Sequence, residues 1–415
     1  MIYDALIIGG GASGLMAACA LGRFGLKAAV LEKQPRVGRK LLSTGNGRCN
    51  LTNMRVEPED YHGSEALIRS VAARPVREVL AVFHELGVLT RVEAAQRVYP
   101  LSGQAAAVLD ALRLGAADLG AELLCDFHVK RLERRGDRFL ALAADGRRAE
   151  GRCAIVATGG LAAPKLGGCG DGYALLKSFG HRITLLRPVL TPLKTPPEAV
   201  RGLKGLRVQG RFALEISGEI VHAETGELLF TDYGVSGVAV MQLSRHIGGA
   251  LDAGKDVAVV LDLLPDALDA FEEVRALYCS RRKQPLEELL TGVVPKRVGQ
   301  VLLKNAGVGP LTRPAGTPKD AEVRAVAAQL TGWQLPIVDV QGYDMAQVTQ
   351  GGADGRDFDP ETLGSRLVPG LYAVGEVLDV DGACGGFNLH WAWVSALACA
   401  EAIWQGRHAN VKRRA

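Results

Sequence analysis

A short apolar run that leads directly into a glycine-rich turn opens the chain, and this feature restricts its fold more than any other. Residues 5–8 are typical of a buried parallel strand, and the turn after them carries glycines at positions 9, 11 and 14. An alanine-rich helical segment follows over 12–24, and a second apolar strand covers 28–31. Strand, glycine turn, helix and strand in this order predict a βαβ unit that binds a dinucleotide.

Each glycine of the turn has a separate physical task. Gly9 allows the tight turn, Gly11 lets the backbone approach a pyrophosphate, and Gly14 lets the helix pack closely on the strand. Ala12 and Ser13 begin the helix, whose N-terminus presents unpaired N–H groups and the positive end of its dipole. This arrangement suits the phosphates of a dinucleotide.

An acidic residue stands at the distance that such a turn requires. Glu32 follows Gly14 by 18 residues, at the end of the second strand, and can accept hydrogen bonds from both ribose hydroxyls. A glycine turn that binds nothing is the alternative interpretation, but the strand, the helix and the acidic residue are all present. The pattern does not choose between NAD and FAD.

Three further segments favour FAD. The first runs from Lys33 through 38–40 to 43–45 and offers basic residues and hydroxyls to a longer cofactor. The second, 157–160, ends a buried strand in small residues that let a nucleotide pass close to the backbone. The third, 370–376, ends a strand in Gly375-Glu376, whose carboxylate suits ribityl hydroxyls, and Asp381 and a glycine pair follow it. Their ordered combination predicts a non-covalently bound FAD.

The order of segments predicts an α/β protein with a discontinuous nucleotide domain. We place that domain at 1–188 and 346–415, because prolines cluster at 188, 192, 196 and 197 and the glycine-rich pattern returns late in the chain. A strand-rich insertion is expected at 189–265 and 331–345, and a helical insertion at 266–330, where 286–294 and 298–303 show helical apolar spacing.

Composition excludes several classes of protein. The chain has 415 residues, 48% of them apolar and 23% charged, with a net charge of +4, which does not favour a nucleic-acid partner. The eight cysteines show no CxxC spacing, and no signal peptide or membrane-length apolar run is evident, so we expect a cytoplasmic protein without a membrane partner.

The histidines lack metal-ligand spacing, so no metal site is predicted. The chain has no GxSxG or GxxxxGK[ST] motif, so a hydrolase or a P-loop protein is not supported.

Three longer strings, at 38–53, 226–237 and 375–382, are far more specific than the glycine turn. On these strings the chain resembles the BaiN/YhiN-like flavoproteins, which are aminoacetone oxidase-like NAD(P)/FAD-dependent oxidoreductases. The resemblance spans nearly the whole chain. It implies a split, Rossmann-like FAD domain of the two-dinucleotide-binding type with a β-barrel-like and a helical insertion.

Two positions depart from that family. His390 stands where relatives carry glutamine, and Cys384 stands where they commonly carry threonine or another small residue. Both positions are expected beside the flavin, so the departures bear on the substrate more than on the cofactor.

The expected cofactor-binding residues come from these motifs. They are Gly9, Gly11, Ala12, Ser13, Gly14, Glu32, Lys33, Arg39, Lys40, Ser43, Thr44, Gly45, Arg48, Cys49, Asn50, Val129, Ala157, Thr158, Gly159, Gly375, Glu376, Asp381, Gly385, Gly386, Phe387 and Asn388.

Two residues are candidates for catalysis. Cys49 lies in the loop expected to reach the flavin, where a thiol could attack a substrate, although a small buried residue would serve the loop equally well. His390, near the start of the last helix, could donate a hydrogen bond to the flavin or the substrate, or could simply pack.

Three functions remain open on the sequence alone. The first is a reductase or dehydrogenase of a small organic molecule, with NAD(P)H as a transient donor because no second GxGxxG pattern appears. The second is an oxidase that passes electrons to oxygen. The third is a flavin-dependent RNA-modifying or redox-sensing protein, which a basic face formed by Arg201, Lys204, Arg207 and Arg211 would favour. The sequence leaves the substrate and the oligomeric state undetermined.

Overall fold

The computed structural model of the chain describes residues 1–72 and 74–414, with the backbone alone for 71, 72 and 409–414. The chain forms two compact units. Unit 1 comprises Met1–Pro188 and Gln347–Ala415, and unit 2 comprises Val189–Ala346.

Both units are built around sheets of short strands. In chain order the strands are β1 (Ile2–Ile8), β2 (Ala28–Leu31), β3 (Thr52–Asn53), β4 (Tyr61–Gly63), β5 (Thr90–Val92), β6 (Arg97–Pro100), β7 (Glu122–Leu124), β8 (Val129–Arg135), β9 (Arg138–Ala143), β10 (Arg148–Val156), β11 (Arg187–Val189), β12 (Leu193–Lys194), β13 (Arg207–Ile216), β14 (Glu219–Phe230), β15 (Gly234–Ser236), β16 (Val257–Asp262), β17 (Trp333–Pro336), β18 (Asp339–Val340), β19 (Val348–Gln350), β20 (Leu371–Ala373) and β21 (Val380–Gly382).

Helices cover these sheets. In chain order they are α1 (Ala12–Arg23), α2 (Glu65–Leu67), α3 (Val76–Glu85), α4 (Ala105–Asp118), α5 (Asp171–Ser178), α6 (Val238–Asp252), α7 (Ala270–Ser280), α8 (Lys296–Asn305), α9 (Asp320–Gly332) and α10 (Phe387–Arg414).

The main sheet of unit 1 is parallel at its centre. β1 pairs in parallel with β2 and β10, β2 pairs with β7, and β10 pairs with β20. β9 and β8 extend this sheet in antiparallel fashion from the first half of β10. Residues 5–8 of β1 are all buried, which explains their continuous apolar run. Because the parallel strands end at the same edge, the residues that follow β1, β2 and β10 are brought together there.

The helix α1 packs on this sheet, and α10 in turn packs on α1. α1 begins directly after the glycine turn. The ring of Phe24, at the end of α1, stacks on Trp404 of α10 with 5.0 Å between centroids. The C-terminal helix therefore belongs to the core of unit 1.

Unit 2 contains a sheet that curls toward closure. Its strands follow the order β17, β16, β13, β14, β15, β12, β18. The two end strands, β17 and β18, are consecutive in the chain and only a short connection separates Pro336 from Asp339. The two ends of the sheet must therefore lie close together, which gives it a barrel-like form.

The predicted α/β class, with a Rossmann-like sheet and a barrel-like insertion, is confirmed. Three expectations about elements were incomplete or wrong. The segment predicted as strand-rich also contains α6, and the loop expected at 43–53 contains a 3-10 turn over Leu41–Gly47. Residues 286–294 do not form an α-helix: only Leu286–Glu288 is helical, as one 3-10 turn. The positive φ of Gly292, +97°, and the proline at 295 stop the helix there, although Leu286, Leu289 and Leu290 are buried as their spacing indicated.

Candidate functional site

The glycine turn after β1 leaves space where a phosphate would have to lie. A Cβ at Gly14 would come within 1.9 Å of the Gly9 carbonyl oxygen, and Gly9 itself has φ +109° and passes against the backbone of Ala157. At Gly11, by contrast, a Cβ would meet no atom within 4 Å. Gly9 and Gly14 therefore serve the fold of the chain, while the open side of Gly11 faces free space.

The start of α1 strengthens this interpretation. Gly11 is its N-cap residue, and its first turn contains no acidic side chain. The N–H groups of Ala12, Ser13 and Gly14 precede the first N–H group that bonds within the helix, that of Leu15 to the Gly11 carbonyl. Free donors, a positive dipole end and open space together fit a pyrophosphate.

Glu32 is held in place by the backbone around it. Its Oε2 accepts a hydrogen bond from the Gly10 N–H at 2.7 Å, and its Oε1 accepts one from the Gln34 N–H at 2.8 Å. Each carboxylate oxygen keeps a second lone pair, so both can still accept from a ribose hydroxyl. These two hydrogen bonds fix the orientation of the carboxylate.

An open cleft with about 370 Å³ of empty space lies beside Glu32. Its walls come from the ends of β1 and β2, the start of β8, and the glycine-rich loop between β10 and α5. The lining residues are Ile8, Gly9, Leu31, Glu32, Lys33, Phe127, His128, Val129, Thr158, Gly167, Cys169 and Asp171. The cleft therefore joins the predicted Gly9, Glu32, Lys33, Val129 and Thr158 in one place.

Sequence reasoning missed the opposite wall of this cleft. Gly167 and Cys169 belong to the loop between β10 and α5, and Asp171 is the first residue of α5, whereas the predicted segment ended at residue 160. Thr349 holds the start of the loop, because its Oγ1 accepts the Leu161 and Ala162 N–H groups at 2.8 and 3.0 Å. The signal available in the sequence was the density of glycines over 159–172.

The second carboxylate of the predicted site is also held by protein groups. Glu376 accepts from Lys40 Nζ at 2.8 Å through Oε2 and from the Thr349 N–H at 2.9 Å through Oε1. A Cβ on Gly375 would come within 2.6 Å of Ser13 Oγ. The structure thus brings the late glycine–glutamate motif against the start of α1, as a split nucleotide site requires.

The predicted loop around residue 48 is fixed by a partner that the motifs did not indicate. The Arg48 guanidinium forms an ion pair with Glu93 and lies over the Tyr99 ring, 4.2 Å from its centroid. Ser43 and Thr44 donate to the carbonyls of Lys40 and Leu41, so their hydroxyls serve the loop itself. The side chain of Arg39 likewise bonds to Gln34 and to the Lys165 carbonyl.

The end of the loop meets the start of α10. A Cβ on Gly386 would lie 2.6 Å from the Thr52 backbone and 3.0 Å from Asn50 Oδ1, so only glycine permits this approach. Asn50 Oδ1 is buried and has no hydrogen-bond partner among the described residues. A buried acceptor of this kind fits an N–H group of a bound flavin ring. The Asn388 amide, by contrast, bonds locally to the backbone of Gly382.

The remaining predicted residues are Asp381, two residues at or just before the start of α10, and Gly159. Asp381 is buried within β21, which pairs with β4. Gly385 has φ +149°, and the Phe387 ring meets Tyr61 edge-on with 6.1 Å between centroids. The predicted Gly159 lies in the loop that follows β10 and has φ +70°.

The two candidate catalytic side chains are both enclosed. Burial raises the pKa of the Cys49 thiol to about 12, so this thiol is protonated and a weak nucleophile at neutral pH. His390 is fully buried, with its Nδ1 2.9 Å from Thr52 Oγ1, and burial lowers its pKa to about 4. Neither side chain lines the open cleft. Catalysis by either residue stays a prediction.

Two features are absent from the part of the chain that the structure describes, a metal-ligand cluster and a membrane-spanning helix. No group of three or more histidine, cysteine, aspartate or glutamate side chains there could hold a metal ion. No helix within those residues has the length and apolar character to cross a bilayer.

Comparison with known proteins gives full-length matches. The family described as the HI0933-like protein Rossmann domain matches residues 3–402. The chain is 37% identical over 403 residues to the 3-dehydro-bile acid delta(4,6)-reductase of Clostridium scindens, covering 95% of this chain and 98% of that protein. It is 31% identical over 422 residues to the ribosomal RNA dihydrouridine synthase of Escherichia coli K12, covering 96% and 97%.

A solved structure shares the fold at low sequence identity. The 3-ketosteroid delta1-dehydrogenase of Sterolibacterium denitrificans matches with a TM-score of 0.53 at 13% identity, covering 98% of this chain and all of that one. These matches confirm the family and the fold that the sequence motifs indicated.

Proposed function

The chain belongs to the HI0933-like family of FAD-dependent oxidoreductases, and from this premise we propose that it reduces a carbon–carbon double bond conjugated to a carbonyl group. The observation that carries the proposal is the similarity, over nearly the full length, to the bile acid delta(4,6)-reductase. We infer that the substrate is a small, largely apolar enone.

The names of the relatives describe one kind of reaction. A 3-dehydro, delta(4,6) compound has double bonds conjugated to a 3-oxo group, and dihydrouridine is uridine whose ring double bond, next to a carbonyl, has been reduced. In a conjugate reduction of an enone, a hydride goes to the β carbon and a proton goes to the α carbon. The similarity to these relatives supports the shared type of reaction for this chain more strongly than it supports either relative's substrate.

When bound, FAD supplies the two-electron redox chemistry of this reaction. The protein binds and orients that cofactor. The start of α1 would hold the pyrophosphate, Glu32 the ribose, and the buried Asn50 oxygen a flavin N–H group. The N–H groups at the start of α10 lie at the positive end of its dipole, which stabilises negative charge nearby.

The electron donor is proposed to be NAD(P)H that binds transiently. The sequence has one GxGxxG turn, and in the structure this turn leads to the cleft beside Glu32. A nicotinamide donor would therefore have to reach the flavin without a nucleotide fold of its own. None of the eight cysteines forms a disulfide bond within the described part of the chain, which supports a reducing, cytoplasmic compartment.

Anaerobic half-reactions test this proposal. The bound FAD should lose its absorbance near 450 nm on mixing with NADH or NADPH, and a steroid with a 3-oxo-4,6-diene should restore it faster than oxygen does. A saturated 3-oxo steroid is the matched control and should not restore it. If oxygen alone reoxidises the flavin, the protein is an oxidase and the proposal is wrong.

Reduction of uridine in ribosomal RNA is the second candidate, because two relatives at 30% and 31% identity carry that name. The basic face that would favour it is partly neutralised, since Lys204 pairs with Asp232 and Arg207 pairs with Glu227. Digestion of ribosomal RNA from cells lacking the gene, followed by mass spectrometry of the nucleosides, decides the question. A missing dihydrouridine would favour RNA over a small molecule.

A further inference from the structure

The wall of the cleft opposite Glu32 contains an unusual carboxylate. Asp171 is the first residue of α5 and lines the cleft together with Gly167 and Cys169 of the preceding loop. The cofactor-binding set predicted from the sequence omitted this residue. Its surroundings indicate a binding role.

Three donors converge on one oxygen of this carboxylate. His128 Nε2 lies 3.0 Å, Cys169 Sγ 3.3 Å and Lys33 Nζ 3.5 Å from Asp171 Oδ2. Partial burial by itself would raise the pKa of Asp171, but the Cys169 hydrogen bond and the Lys33 charge outweigh it, and the pKa is lowered. The group is therefore ionised at neutral pH, and its orientation is fixed by these three contacts.

The other oxygen is left for a ligand. No donor among the described residues lies within hydrogen-bond distance of Oδ1, and about a third of the side chain, 34%, is exposed. An ionised carboxylate can only accept hydrogen bonds, so Oδ1 requires a donor. The neighbouring cleft walls at Phe127 and Val129 are apolar and suit the faces of a flat ring.

The order of the groups along FAD indicates which of them donates a hydrogen bond to Asp171 Oδ1. With the pyrophosphate at Gly11 and the ribose at Glu32, the base is the next group along and must lie in the cleft that continues from Glu32. Adenine carries an exocyclic amine, whereas hypoxanthine and guanine carry a carbonyl oxygen at the same ring position. We propose that Asp171 accepts a hydrogen bond from the exocyclic amine of adenine and so selects adenine over 6-oxopurines. The inference rests on FAD binding by the family and not on the enone substrate proposed above.

Competition by nucleotides on the flavin-free protein tests this without measuring turnover. AMP and IMP have the same ribose and phosphate and differ at the purine 6-position, so each is titrated against rebinding of fluorescent FAD. The wild-type protein should bind AMP at least about tenfold more tightly than IMP, because IMP places an acceptor against the Asp171 carboxylate. A wild-type ratio near one overturns the proposal without any variant.

The variant D171N gives the second comparison. An asparagine can donate to the carbonyl of IMP as well as accept from AMP, so the preference for AMP should fall to about threefold or less. D137N is the matched control, since Asp137 lies on a turn of the same unit with 83% of its side chain exposed, and it should keep the wild-type ratio. Unfolding curves of the flavin-free variants check that they are folded. An unchanged ratio in folded D171N would overturn the assignment.

Discussion

At the scale of single residues, the side chains of the candidate site are held in place by other groups of the protein. Glu32 accepts two backbone N–H groups, and Glu376 accepts Lys40 and the Thr349 N–H. These partners reduce the freedom that a cofactor would otherwise have to remove on binding. Motifs name such residues but not their partners, because Lys40 and Glu376 are 336 positions apart in the sequence.

Replacement of Glu32 by alanine should weaken FAD binding strongly. The variant loses the acceptors for the ribose hydroxyls and leaves the N–H groups of Gly10 and Gln34 without their carboxylate. We expect a loss of about 2–4 kcal/mol in FAD affinity, measured by fluorescence titration of the flavin-free protein. Glu32→Gln, which keeps one carbonyl acceptor, should lose less. Equal affinities for wild type and Glu32→Ala would show that this carboxylate does not hold the ribose.

His390 should make the protein sensitive to acid. Burial lowers its pKa from 6.5 to about 4, so between these values the unfolded chain binds a proton that the folded protein does not. This difference favours unfolding increasingly as the pH falls through 6.5 and levels off below 4. From pH 7 to pH 5 the wild type should lose about 2 kcal/mol more of its unfolding free energy than His390→Gln.

Urea unfolding at the two pH values measures this difference, and the other titrating groups cancel between the two proteins. The same variant should reduce its flavin at the wild-type rate from pH 6 to 9, because the imidazole is neutral throughout that range. A shift in the pH profile of flavin reduction would instead assign His390 a part in the chemistry.

At the scale of elements, the sequence predicted what local pattern determines and missed what distant pairing determines. β1, α1 and β2 follow from an apolar run, a glycine turn and alanine-rich spacing within one short stretch. The unit 2 sheet closes through the pairing of β12 with β18, in which Leu193 lies opposite Val340. No local sequence pattern predicts this pairing. The cleft wall at Asp171 was missed for the same reason, because its partners Lys33 and His128 come from two other strand ends.

Two glycine variants distinguish a glycine that the fold requires from one that cofactor binding requires. Gly11→Ala places its Cβ in free space, so the flavin-free protein should keep its unfolding free energy within about 0.5 kcal/mol. Its FAD affinity should nevertheless fall at least about tenfold, because the methyl group occupies the side open to the pyrophosphate.

Gly14→Ala is the matched comparison on the same turn. Its Cβ would lie 1.9 Å from the Gly9 carbonyl oxygen, so it should destabilise the protein even without FAD, by at least about 2 kcal/mol. Chemical unfolding and flavin titration of both variants give the four values required. Wild-type FAD binding by Gly11→Ala would mean that the phosphate lies elsewhere.

At the scale of the whole molecule, the proposed nucleotide site draws on both stretches of the chain that form unit 1. The glycine turn and Glu32 come from the first stretch of unit 1, whereas Glu376 and the start of α10 come from its second stretch. Both stretches must be folded together for the site to contact both halves of a dinucleotide. Cofactor binding therefore reports on the integrity of unit 1 as a whole.

The purified protein should be yellow and should release FAD, not FMN, on denaturation. We expect this result because the cleft beside Glu32 is proposed to bind the adenosine of FAD, which FMN lacks. Chromatography of the heat-released flavin against FAD and FMN standards provides the measurement, with added FAD during purification as a control for loss of cofactor. Recovery of FMN alone would contradict the assignment of the turn and the cleft.

The placement of β20 and α10 has a consequence for synthesis of the protein on the ribosome. The first segment of unit 1 emerges early, but the strand that pairs with β10 and the helix that covers α1 are translated only after all of Val189–Ala346. At typical translation rates that interval lasts roughly 8–30 seconds, during which the buried apolar face of α1 lacks its cover. The nascent chain should therefore depend on chaperones during this interval, and slower, cooler expression should raise the yield of flavin-loaded protein.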